Sequence, residues 1–255
     1  MGPGTGADGG LDFVDEFAAA AEWFADLLGR APTSTPVPTC PGWSVLDLAG
    51  HLGNVHSWAA SVVETGRAAT GLDDEPGSDR PRKVAGWYSG RAEDLYAVLR
   101  DTPGDRPCWN FAFGDGVAGF WGRRQTHETV MHGIDLAVAA GRPERLPVRL
   151  ALDGVDEALT VFLHRMHSRG HPADLDVPLV LRADDAEAAW TVQPPARGAE
   201  PVVLREALDG ADVVEAPAGV LLKVLWKRAR PTDAAVRISG DEQRVGRFLA
   251  SRLTP

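Results

Sequence analysis

Three side chains have the types and the spacing needed to hold a divalent metal ion. Glu128 and His132 are four residues apart in a predicted helix, so their side chains lie one turn apart on the same helix face. His51 lies in an earlier predicted helix and can supply a third ligand from a neighbouring element. Two imidazoles and one carboxylate, with a coordination position left for water or substrate, are typical of a catalytic metal site.

The residues around these three allow more than one interpretation. Asp47 precedes His51 by four residues, and it either orients that imidazole or caps the start of the helix. Asp135 follows His132 by three residues and can accept the second ring N–H of that histidine. Glu128 and His132 also fit an ordinary surface pair, and a single histidine such as His51 often packs in a core. The spacing therefore indicates a metal site without establishing one.

The other histidines fit a metal site less well. His56 and His127 are each five residues from the nearest proposed ligand and lie on other helix faces, which favours packing or surface positions. A second group of histidines at three- and four-residue spacing is better explained by favourable charge at a helix end; its members are His164, His167 and His171.

The two cysteines and several aromatic residues lie close to the candidate ligands in sequence. Cys40 is in the loop before the helix of His51 and is a conceivable additional ligand, whereas Cys108 is expected to pack in an aromatic loop. Aromatic side chains either wall a pocket or fill the core, and the residues concerned are Trp43, Trp109 and Phe111.

Four predicted helices position these residues. Their ranges are 11–29, 44–66, 84–100 and 120–140. Ser44 and Asp47 form the pattern of a capping box at the start of the second helix. Loops rich in proline, glycine or polar residues separate the helices. Four such helices predict an antiparallel four-helix bundle over residues 1–145, with a site built from side chains of facing helices.

The pattern changes after residue 145. Residues 148–168 are predicted as helix, and short apolar runs predict strands at 177–182, 189–193, 201–204 and 235–238. Helices are predicted at 217–228 and 241–253. Strands and helices together indicate a smaller α+β domain over residues 146–255, so the whole chain is predicted to be α+β.

The composition excludes several classes of function. With 26 basic and 36 acidic residues, the chain has a formal charge of -10, which argues against binding to nucleic acid. No apolar run reaches the length that spans a membrane. Residues 1–10 lack the features of a signal peptide and are expected to be a flexible leader. The two cysteines cannot form a disulfide framework, which favours a cytoplasmic location. The oligomeric state is not predicted.

Two separated motifs resemble the mycothiol-dependent maleylpyruvate isomerase family, part of the DinB-like group of metal-binding bundles. The first, Pro-Gly-Trp-Ser-Val-x-Asp-x-x-x-His, ends at His51, and the second, Arg-x4-Glu-x3-His-x2-Asp, spans residues 123–135. The resemblance implies a divalent ion, typically zinc, held by His51, Glu128 and His132. It also implies mycothiol as a low-molecular-weight thiol cosubstrate and a C-terminal α+β domain that resembles a sterol-carrier-like fold.

The resemblance further implies cis–trans isomerisation by thiol addition, or thiol S-transfer, on a small electrophile. An anionic electrophile needs cationic anchors, and the candidates are Arg123, Arg124 and Arg228; we assign catalytic roles to Arg123 and Arg228. Relatives often carry Trp-Gly-Arg in the second domain, where this chain has Trp226-Lys227-Arg228. This departure favours a substrate other than maleylpyruvate, and it leaves a solvated charge at a helix end as the alternative for Arg228.

Three hypotheses for the function follow. The first is an isomerase or S-transferase that uses mycothiol. The second is a pathway-specific enzyme of secondary metabolism that performs a cyclisation or rearrangement on the same fold. The third is a metal-binding regulatory protein without turnover. The presence of all three candidate ligands favours an enzyme. The sequence contains no Walker loop, dinucleotide-binding glycine motif or Gly-x-Ser-x-Gly elbow, so nucleotide use and serine hydrolysis are unsupported.

Overall fold

The chain folds into a helical unit followed by a mixed unit. The structure is a computed structural model that describes residues 10–71, 73–196 and 199–255. The units are Met1–Arg145 and Leu146–Pro255. Helices alone build the first, and helices with a five-stranded sheet build the second, so the predicted α+β class is confirmed. Residues 1–9 of the predicted leader lie outside the described residues. Within the described part of the chain, no helix is both long and apolar enough to cross a membrane.

Four long helices form the bundle of the first unit. They are α1 (Phe13–Leu28), α2 (Val45–Thr65), α3 (Pro81–Asp101) and α4 (Gly119–Ala139). α1 and α2 each pack against both α3 and α4, so each helix buries its apolar face against two neighbours. At one contact the indole of Trp23 lies against Gly133, where an added Cβ would come within 2.4 Å of the ring. A glycine at position 133 therefore allows α1 to approach α4 closely.

The start of α2 is fixed by the predicted capping box. The Ser44 side chain accepts a hydrogen bond from the backbone N–H of Asp47, and the Asp47 carboxylate accepts from the Ser44 backbone N–H at 2.8 Å and from its hydroxyl at 2.6 Å. The Asp47 carboxylate is thus engaged at the helix start. The structure supports the capping interpretation of Asp47 rather than its interpretation as a partner of His51.

The loop between α1 and α2 is held by its own backbone hydrogen bonds. Val37 N–H donates to the carbonyl of Trp43 at 2.8 Å, and Trp43 N–H donates to the carbonyl of Cys40 at 3.0 Å. An isolated bridge pairs Pro36 with Ser44. These bonds fold the segment back on itself and present Cys40 and Trp43 beside the bundle.

The second unit begins with a helical segment and continues with the sheet. The segment consists of α5 (Val148–Glu157), a π-helical turn (Ala158–Phe162) and α6 (Leu163–Ser168). The strands are β1 (Leu179–Ala183), β2 (Ala188–Gln193), β3 (Val202–Leu204), β4 (Asp212–Ala216) and β5 (Arg237–Ser239), in the order β3-β2-β1-β4-β5. β1 and β4 are parallel, and the other neighbours are antiparallel. α7 (Ala218–Leu225) follows β4, and α8 (Glu242–Ala250) follows β5.

β4, which lies beside the central strand β1, was not predicted from the sequence. Its burial alternates along Asp212-Val-Val-Glu-Ala, with Asp212, Val214 and Ala216 buried. The carboxylate of Asp212 is satisfied by two hydrogen bonds from Arg244, at 2.9 and 3.0 Å. Acidic residues at two of the five positions obscured the alternation in the sequence.

Candidate metal centre

The three predicted ligands converge where α2 packs against α4. Nε2 of His51 lies 3.4 Å from Oε1 of Glu128, and Nε2 of His132 lies 3.4 Å from the same oxygen. The two imidazole rings meet edge to face, with centroids 5.1 Å apart. The ligand atoms of all three side chains lie within 4.8 Å of one another. The structure therefore brings His51, Glu128 and His132 together.

These separations fit a small tetrahedral ion. Ligand bonds of about 2.0–2.1 Å at tetrahedral angles place neighbouring ligand atoms roughly 3.3 Å apart. The two nitrogen-to-oxygen distances match this length. Two neutral imidazoles and one carboxylate form the donor set of a catalytic zinc site with one position open. The residues present thus fit the metal that the sequence motifs imply.

Asp135 holds His132 in the orientation that such a site requires. It is fully buried, and its Oδ2 accepts a hydrogen bond from Nδ1 of His132 at 3.0 Å. The thiol of Cys40 donates to the same oxygen at 3.4 Å. Because Nδ1 is engaged by Asp135, Nε2 of His132, which faces Glu128, is the nitrogen that is left to bind a metal. The structure thus gives Asp135 the predicted orienting contact and adds Cys40 as a partner of Asp135.

Arg124 does not lie where the predicted anchor of an anionic substrate would lie. It is 2% exposed, and its Nη2 donates to Oε2 of Glu128 at 3.0 Å. This contact occupies one carboxylate oxygen and leaves Oε1 facing the two histidines. Arg124 therefore stabilises a proposed ligand instead of lying open to a substrate. Its position four residues before Glu128 was the signal for this pairing.

The contacts within the cluster favour the charged forms of Glu128 and His132. Burial opposes ionisation of Glu128, but hydrogen bonds from His132 and His51 and the charge of Arg124 outweigh it, and the pKa of Glu128 lies well below its ordinary value. Burial also opposes protonation of His132, but hydrogen bonds with Asp135, Cys40 and Glu128 raise its pKa well above the usual value. A metal ion must displace a proton from His132, so metal binding depends on pH.

His56 lies in the core and belongs to a separate polar network. It is fully buried, with Nδ1 2.9 Å from Oε1 of Gln125 and Nε2 3.3 Å from the hydroxyl of Tyr88. Since the amide oxygen only accepts, Nδ1 carries the proton and Nε2 accepts from Tyr88. Desolvation lowers the pKa of His56 to about 4, so the ring is neutral. The packing interpretation of His56 agrees with this arrangement.

A cleft of about 770 Å³ opens beside the candidate metal centre. Trp43, His51 and Trp58 line it, together with residues from the loop between α2 and α3. The Trp43 ring lies 4.9 Å from the ring of His51 and 6.3 Å from that of His132, measured between centroids. Trp43 therefore walls the site, which was one of its two predicted roles. A small molecule in the cleft reaches His51 directly.

Other candidate residues lie outside this cluster. His127 is buried against Phe13, with ring centroids 6.1 Å apart. Arg123 is partly buried on α4. Arg228 belongs to the second unit, where Nη1 donates to the carbonyl of Trp226 at 2.8 Å. Among the described residues, two groups have the spacing to hold a metal, and neither includes the histidines of the second unit: His164, His167 and His171.

Fold and site together define an α+β protein with a candidate metal centre in a helical bundle. Residues 14–137 match the family described as mycothiol maleylpyruvate isomerase N-terminal domain. The match lies within the first unit, so this part of the chain is similar to that family.

Two solved structures resemble the chain over most of its length. One is a mycothiol-dependent maleylpyruvate isomerase, and the other is a histidine-to-alanine mutant of a mycothiol-dependent maleylpyruvate isomerase. In each case the TM-score is 0.63 and the sequence identity is 13%, over 89% of this chain and 92% of the other. At this identity, the likeness establishes a shared fold. No curated protein sequence matches the chain.

Proposed function

We propose that the chain is a metal-dependent enzyme that uses mycothiol as its thiol cosubstrate. The reaction is cis–trans isomerisation, or thiol S-transfer, on a small electrophile. The convergence of His51, Glu128 and His132 beside an open cleft carries this proposal. The names of the matching family and of the two similar structures support mycothiol as the cosubstrate. We further propose zinc as the ion and the cytoplasm as the location.

Each side chain of the cluster has its own role in the proposed site. A divalent ion held by the three ligands would favour the thiolate form of a thiol that reaches it, and the thiolate is the nucleophile. Asp135 fixes the tautomer and orientation of His132 through Nδ1. Arg124 fixes the Glu128 carboxylate. Trp43 lies beside both imidazole rings and forms one wall of the site.

The reactants of the proposed reaction are the thiol and a compound with an activated double bond. The thiolate adds to the β-carbon of an α,β-unsaturated carbonyl compound. The electron pair of the C=C bond then forms a double bond to the carbonyl carbon, and the C=O electron pair moves to oxygen to give an enolate. Rotation about the resulting single bond and expulsion of the thiolate give the other isomer and return the thiol. If the neighbouring carbon takes a proton instead, the sulfur stays on the product and the reaction is S-transfer. Arg123 and Arg228 are proposed to anchor carbonyl or carboxylate oxygens of the substrate.

The proposal is tested by turnover with zinc-loaded protein, mycothiol and a panel of small unsaturated carbonyl compounds that includes maleylpyruvate. Product formation is expected to require both the metal and the thiol. The His132→Ala variant is expected to be inactive, while the matched control His171→Ala, which changes an exposed histidine of the second unit, keeps full activity.

Turnover that persists without thiol would contradict the use of mycothiol. Equal turnover in His132→Ala would contradict the metal site. A protein that binds zinc and mycothiol but transforms none of the compounds would favour the regulatory hypothesis.

A further inference from the structure

The wall of the cleft beside the candidate metal centre is acidic. Within the described residues, the side chains that line it include no arginine and no lysine. Five carboxylates line it: Asp47, Asp73, Asp74, Glu75 and Asp79. Four of them belong to the loop between α2 and α3, and all four are exposed. A ligand that enters the cleft therefore passes a strongly negative surface.

Two of these carboxylates have side-chain partners, and the other three form no ion pair with a described residue. Asp47 caps α2, and its hydrogen bonds with Ser44 lower its pKa, so it stays ionised. Asp74 forms an ion pair with Arg91. Within the described part of the chain, Asp73, Glu75 and Asp79 make no ion pair.

Two arginines that contact carboxylates of the site or of its wall are held in ion pairs. Arg124 is buried and donates to Glu128, and Arg91 pairs with Asp74. Neither guanidinium lines the cleft. Among its described side chains, this wall therefore offers no lysine or arginine to a dicarboxylate.

The aromatic residues of the cleft suit a different kind of ligand. Trp43 and Trp58 both line it, and the indole N–H of Trp58 donates to the carbonyl of Ala69 at 2.9 Å, which fixes that ring. Indole faces attract apolar groups and ammonium groups, and they do not attract carboxylates.

We infer that the electrophile handled in this cleft is uncharged or carries an amine, and is not a dicarboxylate. This inference rests on the proposed function and specifies its substrate class. Fixed charges at a cleft mouth change the local concentration of charged ligands by tenfold or more at low ionic strength. The inference opposes the sequence-based expectation of an anionic substrate, and it is compatible with arginine anchors that bind a carbonyl oxygen.

The test uses cobalt(II)-loaded protein and three small thiols that differ in charge. These probes are cysteamine (positive), 2-mercaptoethanol (neutral) and 3-mercaptopropionate (negative). Thiolate binding to cobalt produces a charge-transfer absorption band, and titration of this band gives a Kd for each thiol. The wild type is expected to bind cysteamine most tightly and 3-mercaptopropionate least tightly.

A variant of the loop separates the effect of the wall from differences between the thiols themselves. In Asp73→Asn/Asp79→Asn, the ratio of the Kd values for 3-mercaptopropionate and cysteamine is expected to fall on the order of tenfold at low salt. The matched control Glu93→Gln/Asp94→Asn removes two exposed carboxylates of α3 that do not line the cleft, and it should keep the wild-type ratio.

Each result decides the question. Tightest binding of 3-mercaptopropionate, or an unchanged ratio in the loop variant, would overturn the inference and leave the proposed function intact. Failure of the wild type to bind cobalt would overturn the proposed function, and the inference with it.

Discussion

Asp135 accepts a hydrogen bond from Nδ1 of His132 at 3.0 Å inside the bundle, and Nε2 of the same ring faces Glu128. One buried carboxylate thus decides which nitrogen of the histidine can bind a metal. The contact spans three residues within α4, so the helix itself sets its geometry. The proposed ligand and the residue that orients it therefore lie on one rigid element.

Replacing Asp135 should weaken metal binding without removing a ligand. In Asp135→Asn, the amide holds His132 less well, and the affinity for zinc is expected to fall roughly 10- to 100-fold. Competition with a chromophoric chelator measures the Kd. Asp94→Asn, on the exposed side of α3, is the control and should bind zinc as the wild type does. Equal affinities in the two variants would show that Asp135 does not orient the ligand.

Removing the thiol of Cys40 distinguishes a partner of Asp135 from a metal ligand. Its Sγ lies 3.4 Å from Oδ2 of Asp135, and the three proposed ligands are complete without it. We expect Cys40→Ala to retain a full complement of zinc. The cobalt-loaded wild type, without added thiol, should lack the sulfur-to-cobalt absorption band. A strong band that disappears in Cys40→Ala would instead make Cys40 a ligand.

The neutral state of His56 should make the protein less stable in acid. Its pKa is about 4 in the folded protein, below the ordinary 6.5. Between these values the unfolded chain binds more protons, so the free energy of unfolding falls as the pH drops from 6.5 towards 4. The loss from this group is about 3 kcal/mol. Urea denaturation at several pH values measures it.

The variant His56→Gln isolates this contribution from other titrating groups. It is expected to be less stable than the wild type at pH 7, because Gln125 and Tyr88 lose a partner. Its stability should decline less steeply than that of the wild type between pH 6.5 and 4. Parallel declines in both proteins would mean that His56 is not the group responsible.

The backbone conformation at Lys227 explains why relatives often carry glycine at this position. Lys227 has a φ of 61°, in the left-handed region that favours glycine, and it is the one non-glycine residue with positive φ among the described residues. Both Lys227→Gly and Lys227→Ala remove the contact of its ammonium group with the carbonyl of Leu249. Glycine adopts this φ without strain, so thermal unfolding should show Lys227→Gly more stable than Lys227→Ala by about 1 kcal/mol. Greater stability of the alanine variant would contradict this explanation.

The local features of the site were predictable from the sequence, and the contacts between elements were less so. The spacing of Glu128, His132 and Asp135 defines one helix face, and the capping box sets the start of α2. Whether His51 lies near α4 depends on which helices pack together, and hydrophobic periodicity does not specify that packing. The grouping of His51 with the residues of α4 was predicted from the resemblance carried by the two motifs. The same limit applies to Cys40, because a folded loop brings it within reach of a residue 95 positions away.

Other features required the three-dimensional structure for a physical reason. The acidic loop residues Asp73, Glu75 and Asp79 look like an ordinary solvated segment in the sequence, and only the fold places them at the wall of the cleft. β4 was missed because Asp212 at its buried face resembles a polar loop residue, whereas a salt bridge to Arg244 in α8 compensates its charge.

The most direct test of the metal centre is elemental analysis of the protein after loading with zinc and removal of excess metal. The wild type is expected to retain about one ion per chain, and His51→Ala and His132→Ala are expected to retain almost none while keeping the helical circular dichroism of the wild type. His171→Ala should retain the wild-type amount. Stoichiometric zinc in both ligand variants, or a wild type that binds none, would contradict the assignment of His51, Glu128 and His132 as a metal site.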